Sequence, residues 1–499
     1  MTGTRPPTPS NPSTASAWNR IAQAAMLYRN APMEQSLWLD AMLARNHACA
    51  YLRRYGTPRT LEAFRTQVPL CVYEDLLPDI ARITAGAADI LFAGRPVAYE
   101  KTGGSSAGCK LIPYTAHGLA DFQHNLLPWL ADTAHAFHIT GRAYFSISPA
   151  TRQPETIGSI PVGLPDGAYL GPQAGSALPD LLAVAPEVAA IPDVPRWKEA
   201  TIRQLQAAHD LELISVWSPT FLLQLLDAMP DAPACWPHLK LVSCWAHGPA
   251  QRHAQALQQR LPHVPIQAKG LLATEGVMTI PWVQPLSNSG QPRATRALSD
   301  NQAPCIPAPH GFTEFLQDGT CYLPHELKPG QTYEVVLTTA SGLYRYRTGD
   351  HVLCTGHNAI DHTHIPSPSL VFIGRDSLHS DLVGEKLTEA FAASCLHHWQ
   401  GYALLVPDVA QTGYVLVTEK PPANSHATTQ LEHKLCANPQ YAYARRIGQL
   451  APLRLCVQPQ ASAIVEQALL QRGVRLGDIK PLALRTQAWW LPLLESTTS

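Results

Sequence analysis

Apolar residues recur at two spacings along this chain, and each spacing predicts one kind of element. Helical spacing predicts helices over residues 18–55, over residues 60–80 with an interruption at Pro69, and after Thr115. In the middle of the chain, short apolar runs alternate with helical segments. Strands are predicted at residues 211–216 and 239–244, and helices at residues 219–229 and 249–261. Alternating strands and helices are typical of an α/β fold with a mostly parallel sheet.

The last part of the chain predicts a smaller unit. Its strands are predicted at residues 402–406, 413–418 and 453–457, and its helices at 428–436 and 461–472. We interpret residues 375–499 as a small α+β lid domain and residues 18–374 as a large multi-sheet domain. Residues 1–17, rich in Pro, Ser and Thr, are predicted to be a disordered tail. The apolar strand that stops at Arg375 marks a hinge between the two domains.

Length, composition and charge narrow the functional classes. A chain of 499 residues is too long for one ordinary core, so several domains are expected. The net charge of −1 gives no general attraction to nucleic acid or to anionic lipid, so neither is expected as a partner. No uninterrupted apolar run of about 18 residues predicts a membrane span. The 11 cysteines contain no C-x-x-C pair, which indicates reduced thiols in a cytoplasmic protein.

The stretch EKTGGSSAGCK, residues 100–110, is suited to a polyphosphate. Glycines allow the backbone to approach a ligand closely, hydroxyls and N–H groups supply donors, and Lys110 adds a positive charge. The stretch matches neither the Walker pattern nor the dinucleotide fingerprint. An ordinary flexible Gly/Ser loop would have the same composition, so both interpretations stay open at this point.

Two carboxylates lie in motifs of their own. Glu275, between Thr274 and Gly276, is a hard oxygen ligand of the kind that Mg²⁺ prefers, although a Glu at a turn would look the same. Asp350 follows Thr348-Gly349 at a predicted turn. A carboxylate offers several acceptor sites, which suits the two hydroxyls of a ribose. The alternative is a structural Asp in a hairpin turn.

Four motifs in order carry a resemblance to a known family. They are the loop at 102–110, LLATEG at 271–276, GLYRYRTGD at 342–350 and FIGRDS with VGEKLTE at 372–389. The chain resembles the adenylate-forming superfamily of acyl and aryl synthetases. It is most similar to the Gretchen Hagen acyl acid–amido synthetases, the auxin-responsive-promoter family, in their bacterial form. The resemblance implies an adenylate-forming fold with a mobile C-terminal domain.

The resemblance also implies roles for individual residues. It makes Lys480 and Glu275 catalytic, with Glu275 holding Mg²⁺ and Lys480 reaching the α-phosphate and the acyl carboxylate. The residues implied to bind ATP are Thr102, Gly103, Gly104, Ser105, Ser106, Gly108, Lys110, Gly248, Ala273, Thr274, Glu275, Tyr346, Asp350 and Arg375. The acyl pocket is expected to be lined by Trp217, Phe221, Leu222, His247 and Val277, each of which also suits core packing. In the family, two residues usually separate the last glycine of the loop from the lysine. In this chain Cys109 alone separates Gly108 from Lys110.

The implied reaction uses ATP and Mg²⁺ to convert a carboxylic acid into an acyl-AMP plus pyrophosphate. The acyl group is then transferred to an amino acid or another amine. One alternative is a ligase that forms a thioester with coenzyme A or a carrier protein through the same adenylation step. A second is a non-catalytic nucleotide-binding scaffold that kept the fold. The sequence leaves the identity of the acid and of the amine open.

Overall fold

Helices form most of the N-terminal region of the chain and recur between its sheets. The computed structural model describes residues 12–29, 35–102, 110–145, 155–164, 166–282, 305–358, 367–375, 379–380, 382–383, 385, 387–422, 424, 426–446, 448–474 and 476–496. The helices are α1 Pro12–Arg29, α2 Gln35–Asn46, α3 Ala50–Arg54, α4 Leu61–Gln67, α5 Tyr73–Thr84, α6 Ala116–Ala136, α7 Gly171–Gly175, α8 Leu178–Leu181, α9 Val194–Gln206, α10 Pro219–Asp227, α11 Ala232–Cys235, α12 Gln251–Arg260, α13 Glu389–Leu396, α14 Ala427–Leu435, α15 Pro439–Arg446, α16 Ala461–Gln471 and α17 Trp490–Glu495.

The first helix begins earlier than predicted. α1 starts at Pro12 rather than near Trp18, and two residues before Trp18 are already buried: Thr14, and Ala17, which packs with apolar residues of α6 and its neighbours. Residues 12–17 are therefore helical, whereas residues 1–11 of the predicted tail lie outside the described residues. α4 and α5 lie on the two sides of Pro69, where the pattern predicted an interruption.

The strands form several separate sheets. They are β1 Ala98–Lys101, β2 Leu111–Tyr114, β3 Arg142–Phe145, β4 Glu155–Ile157, β5 Ile160–Val162, β6 Leu211–Ser215, β7 Leu241–Cys244, β8 Ile266–Ala268, β9 Leu272–Ala273, β10 Gly276–Val277, β11 Thr279–Pro281, β12 Cys305–Pro307, β13 Phe312–Gln317, β14 Thr320–Tyr322, β15 Thr332–Thr338, β16 Tyr346–Asn358, β17 Ser367–Arg375, β18 His379–Ser380, β19 Leu387–Thr388, β20 Ala403–Asp408, β21 Gly413–Thr418 and β22 Arg454–Val457. The multi-sheet architecture predicted for the large domain is thus observed.

A parallel sheet occupies the middle of the chain. Its order is β3-β6-β7-β8, with every pair parallel, and α10 and α12 are the connecting helices, as the alternating pattern predicted. Ligands of such sheets bind beyond the carboxyl ends of the strands. Here those ends lead to Trp217, Trp245 and Lys269: Trp245 N donates to Trp217 O at 2.9 Å, and Lys269 N donates to Cys244 O at 2.9 Å.

A larger sheet supplies several polar residues of the site. Its order is β11-β12-β17-β16-β15-β13-β14. β16 pairs with β17 so that Asp350 lies opposite Arg375. A separate sheet, β2-β1-β5-β4, pairs Lys101 with Leu111 and so brings together the two ends of the segment at 102–110. Among the described helices, none combines the length and apolar character that a membrane crossing requires.

The C-terminal part folds around its own small sheet. β20 and β21 are antiparallel, β21 and β22 are parallel, and α13 to α17 surround them, so the predicted α+β pattern is confirmed. This part contacts the larger one: Arg252 Nη2 donates to Ala403 O at 3.0 Å, and Gln224 Nε2 donates to Glu466 Oε2 at 2.6 Å. β17 ends at Arg375, where we predicted the domain boundary, and that boundary stays a prediction.

Thr115 fixes the start of α6, the helix that borders the site. Its Oγ1 accepts a hydrogen bond from Gly118 N at 2.9 Å and donates one to Ala340 O at 3.2 Å. Replacing Thr115 with Ala removes both bonds, so the free energy of unfolding should fall by about 1–2 kcal/mol, measured by urea denaturation. Thr115→Ser keeps the hydroxyl and should restore most of the loss. An unchanged unfolding midpoint for Thr115→Ala would contradict this role.

Candidate active site

A cleft opens between the start of α6, the β9–β10 turn and the end of β15. The residues that line it are Tyr114, Gly118, Asp121, Phe122, Asn125, Glu275, Gly276, Val277, His310, Gly311, Leu337, Thr338, Thr339 and Ser341. β9 and β10 form a hairpin with Thr274 and Glu275 in its turn, and Tyr114 Oη donates to Thr274 O at 2.6 Å. The turn therefore holds the predicted Thr-Glu pair on one wall of the cleft.

Lys110 and Tyr346 accompany the Glu275 carboxylate. Lys110 Nζ donates to Tyr346 Oη at 2.8 Å and lies 4.0 Å from Glu275 Oε1, and Glu275 itself is only 7 % exposed. Burial lowers the pKa of Lys110, while the negative charge of Glu275 acts in the opposite direction. The structure thus brings together three residues that the sequence placed far apart, with one buried carboxylate and one cation at their centre.

The loop predicted to hold phosphates is described only at its two ends. Thr102 N donates to Lys110 O at 2.9 Å, and Lys110 N donates to Thr102 Oγ1 at 3.1 Å, so the ends of the loop are joined. Gly103, Gly104, Ser105, Ser106 and Gly108 lie outside the described residues. Lys110, the described residue at the end of this loop, brings its Nζ to 4.0 Å from Glu275 Oε1.

Asp350 lies within a strand rather than at the predicted turn. It belongs to the long strand β16, where Gly349 has a φ of +72° and the pairing with β17 is irregular just after His351. A bulge of this kind lets a strand turn a side chain out of its regular direction. The sequence Thr-Gly-Asp predicts a turn, and its glycine does adopt a turn-like conformation, but the strand continues through it.

Arg375 forms an ion pair with Asp350 across β16 and β17. Arg375 Nη2 donates to Asp350 Oδ2 and to Thr348 O, each at 3.1 Å, and Nε lies 3.0 Å from Oδ1. The charge of Asp350 raises the pKa of Arg375 further above its usual range. Arg375 also acts electrostatically on Lys110, so the Asp350–Arg375 pair and the Glu275–Lys110 pair belong to one charged region.

Lys480 approaches this charged region from the C-terminal part. It follows the short 3₁₀ turn Leu476–Asp478, and its Nζ lies 5.6 Å from the centre of the Trp245 ring. Lys480 is solvent-exposed, but the protein around its amino group still lowers its pKa by desolvation, and Arg375 lowers it further. Asp350 and Glu275 oppose this shift, so the charge of Lys480 acts on both carboxylates.

Gly248 packs against β17 of the seven-stranded sheet. It has a φ of +55°, and a Cβ at this position would lie 3.2 Å from Ile373 O and 3.3 Å from Phe372 Cδ1. Both the conformation and the close approach of β17 therefore favour glycine. Its backbone runs beside the strand that ends in Arg375, and its contact with adenine stays a prediction.

The five residues predicted for the acyl pocket occupy different surroundings. Val277 lines the cleft, whereas Phe221 and Leu222 pack into the hydrophobic core that also contains Trp197. His247 is buried, and burial lowers its pKa to about 4, which keeps the imidazole neutral at neutral pH. Membership of the acyl pocket stays a prediction for all of them.

Lys269, which lies against the predicted pocket residue Trp217, is a feature that sequence reasoning missed. Lys269 is 7 % exposed, its Nζ donates to Ser215 Oγ at 2.8 Å, and it lies 4.6 Å and 5.2 Å from the ring centres of Trp217 and Trp129. Burial lowers the pKa of Lys269 to about 8. The signal was present, because this lysine opens the KGLLATEG stretch, but its partners come from strands and helices distant in the chain.

Comparisons with known proteins agree over most of the chain. The GH3 family N-terminal domain matches residues 20–232, the GH3 family central domain matches 306–375, and the GH3 family C-terminal domain matches 384–487. A probable indole-3-acetic acid-amido synthetase of Oryza sativa subsp. japonica is 25% identical over 429 residues, which cover 70% of this chain and 67% of the relative. A probable indole-3-acetic acid-amido synthetase of Arabidopsis thaliana is 22% identical over 435 residues, which cover 74% of this chain and 72% of the relative. Matches at 42% and 41% identity cover only 14% and 15% of two other rice relatives.

Solved structures show the same fold. An acyl acid amido synthetase, GH3.15 in complex with 2,4-DB, superposes with a TM-score of 0.80 at 18% identity over 96% of both chains. A 2-hydroxyisobutyryl-CoA ligase in its postadenylation state has a TM-score of 0.53 at 13% identity, over 97% of this chain and 91% of the ligase. These likenesses confirm the predicted adenylate-forming fold. Because the N-terminal, central and C-terminal domains of one family match in order, this chain belongs to the GH3 family.

Proposed function

We propose that this protein is an ATP-dependent acyl acid–amido synthetase. It converts a carboxylic acid into an acyl-AMP with release of pyrophosphate, and then joins the acyl group to an amino acid or another amine. One observation carries the proposal: the Glu275–Lys110–Tyr346 cluster and the Asp350–Arg375 pair form one charged region in a chain of the GH3 family. The relatives reported above carry the name amido synthetase, which supports an amide as the product.

The chemistry requires mainly charge neutralisation and positioning. In the first step an oxygen of the acid attacks the α-phosphate, the bond between the α- and β-phosphates breaks, and pyrophosphate leaves. In the second step the amine nitrogen attacks the acyl carbonyl, the carbon–oxygen bond to AMP breaks, and the amine loses a proton. Negative charge on the phosphate oxygens must be balanced during the first step. Lys110 and Lys480, which both interact electrostatically with Glu275 and Asp350, would supply that positive charge.

The nucleotide would be held along the Asp350–Arg375 pair. Asp350 has two carboxylate oxygens, and Arg375 contacts both, so the carboxylate is held in a fixed orientation. An oriented, ionised carboxylate accepts hydrogen bonds from two ribose hydroxyls. The segment 102–108 would wrap the phosphates, Gly248 would border the adenine, and Ala273 and Thr274 would lie beside the α-phosphate.

Glu275 fits the requirements of a magnesium ligand. It is a buried carboxylate on the wall of the cleft, and Mg²⁺ prefers hard oxygen ligands while keeping several waters or phosphate oxygens. When bound there, Mg²⁺ would supply positive charge to the phosphate oxygens. Glu275 Oε1 also lies 4.0 Å from Lys110 Nζ, so its negative charge attracts that cation.

The acid would lie on the cleft wall that Val277 lines, towards Trp217 and His247. Phe221 and Leu222 would then support this pocket from the core behind it.

Because the described cysteines are free thiols, we assign the reaction to the cytoplasm.

A panel of assays with the full chain tests the proposal. ATP, Mg²⁺ and a library of carboxylic acids should give acid-dependent pyrophosphate release, with hydroxylamine trapping the acyl group as a hydroxamate. A non-catalytic scaffold would release no pyrophosphate with any acid. Amino acids and coenzyme A are then compared as acceptors: faster consumption of acyl-AMP with an amino acid supports the synthetase, whereas thioester formation alone would assign the chain to the ligases.

Asp350→Asn should reduce the discrimination between ATP and 2′-deoxy-ATP. The wild-type chain should use 2′-deoxy-ATP with a KM about tenfold higher, because one hydrogen bond to a charged acceptor is lost. Asp350→Asn should raise the KM for ATP by a similar factor and treat the two nucleotides alike. The exposed acid Asp227, changed to Asn, serves as the control. If Asp350→Asn discriminated as the wild type does, Asp350 would not bind the ribose.

A further inference from the structure

Three potential metal ligands meet beside the cleft. Asp121 and His124 lie three residues apart on α6 and so occupy one face of the helix, and His310 comes from the segment between β12 and β13. One ligand atom of each residue lies within 4.8 Å of the other two. The rings of His124 and His310 stand edge to face, with their centres 4.7 Å apart.

Neighbouring side chains fix the orientation of this cluster. Trp38 Nε1 donates to Asp121 Oδ1 at 3.0 Å. Asn125, one helical position beyond His124, holds the backbone of His310 twice: its Nδ2 donates to His310 O at 2.7 Å, and His310 N donates to its Oδ1 at 3.0 Å. Metal sites are characteristically supported by such outer hydrogen bonds, because these fix the ligands before the ion arrives.

The cluster contains polar atoms that the protein leaves unsatisfied. Asp121 Oδ2 and His310 Nδ1 are both buried, and neither has a hydrogen-bond partner within the described part of the chain. His310 as a whole is only 6 % exposed. Buried polar groups are nearly always paired, so two unpaired atoms in one oriented cluster point to a missing ligand.

We propose that Asp121, His124 and His310 bind one divalent transition-metal ion. Two imidazoles and one carboxylate form the ligand set of open zinc sites and of non-haem iron sites, and Zn²⁺ is the ion we would test first. Magnesium is disfavoured, since it selects oxygen ligands. Three protein ligands leave a coordination position for water or another ligand atom. Asp121 and His310 line the cleft, as does Glu275, but the two sites share no ligand.

Zinc binding to the full chain tests this site. The protein is stripped with a chelator and titrated with Zn²⁺ alone by calorimetry, and its metal content is measured by elemental analysis. We expect one ion per chain, which a large excess of Mg²⁺ does not displace. Asp121→Asn, His124→Gln and His310→Gln should each weaken binding by about 100-fold or more. Co²⁺ as a second probe should give visible absorption bands that these variants lose.

Two further variants separate a built site from a chance one. His135→Gln changes an exposed histidine of the same helix and should bind Zn²⁺ as the wild type does. Trp38→Phe keeps all three ligands but frees Asp121 Oδ1, and it should weaken binding by about tenfold. Circular dichroism confirms that each variant is folded. Absence of stoichiometric Zn²⁺ in the wild type, or unchanged binding by the three ligand variants, would overturn the site. No ATP or acid is present, so the result is independent of the proposed synthetase activity.

Discussion

Replacing Glu275 with Gln should lower acid-dependent pyrophosphate release about 100- to 1000-fold, the effect usually seen when one group that stabilises transition-state charge is removed. Gln has the same size, so the hairpin turn between β9 and β10 keeps its packing. What is lost is the negative charge that would bind Mg²⁺ and that holds Lys110 at 4.0 Å. The rate is measured at saturating ATP and acid over a range of Mg²⁺ concentrations.

The same variant should also change the response to Mg²⁺ and to pH. Half-maximal activity should require more Mg²⁺, because an ionised ligand is missing. Glu275 raises the pKa of Lys110 against the effect of burial, so without it Lys110 loses its proton at a lower pH. The residual activity should therefore fall at a lower alkaline pH than in the wild type. Glu187→Gln, a change at an exposed position, is the control. If Glu275→Gln released pyrophosphate as fast as this control, Glu275 would have no part in adenylation.

The alternating pattern predicted the parallel sheet well because each of its strands is buried. β6 and β7 are short, largely apolar and almost entirely buried, and the helices after them have one apolar face, so the local sequence indicates both kinds of element. Asp350 shows the limit of this reasoning. Gly349 adopts a positive φ, as a turn residue would, but the pairing of β16 with its neighbours on both sides keeps the strand intact. Tertiary pairing overrode the local signal.

The charged residues that the motifs assign to one nucleotide site lie near one another in the structure, and their binding of ATP stays a prediction. The order of motifs did not indicate which of their groups touch each other. The ion pair of Asp350 and Arg375 depends on the register of two strands, and the sequence does not fix that register. The same holds for Asp121, His124 and His310: the two α6 residues share a helical face, but His310 reaches them only through the packing of a distant segment. Lys269 likewise gains its aromatic neighbours from α6 and from the end of β6.

Replacing Lys480 with Gln should slow acyl-AMP formation by about 100-fold and leave the second step much less affected. Its positive charge acts on Asp350 and Glu275 and lies beside Trp245, so it is positioned for the first step, in which charge builds up on phosphate. In the second step a carbon–oxygen bond breaks and the phosphate charge changes less. Pyrophosphate release measures the first step, and the reaction of preformed acyl-AMP with an amine measures the second. Lys420→Gln, an exposed lysine of the same part of the chain, is the control.

The pH dependence of this variant provides an independent readout. The folded protein lowers the pKa of Lys480 below its usual value, through desolvation first and the charge of Arg375 second. Its charge is therefore fully present at low pH and is lost as the pH rises through the lowered pKa, so adenylation by the wild type should decline on the alkaline side. Lys480→Arg stays charged over this pH range. Its adenylation rate should therefore not show the alkaline decline that is due to Lys480, even if the rate itself is lower. If Lys480→Gln formed acyl-AMP at the wild-type rate and pH profile, Lys480 would be an exposed lysine with no part in the reaction.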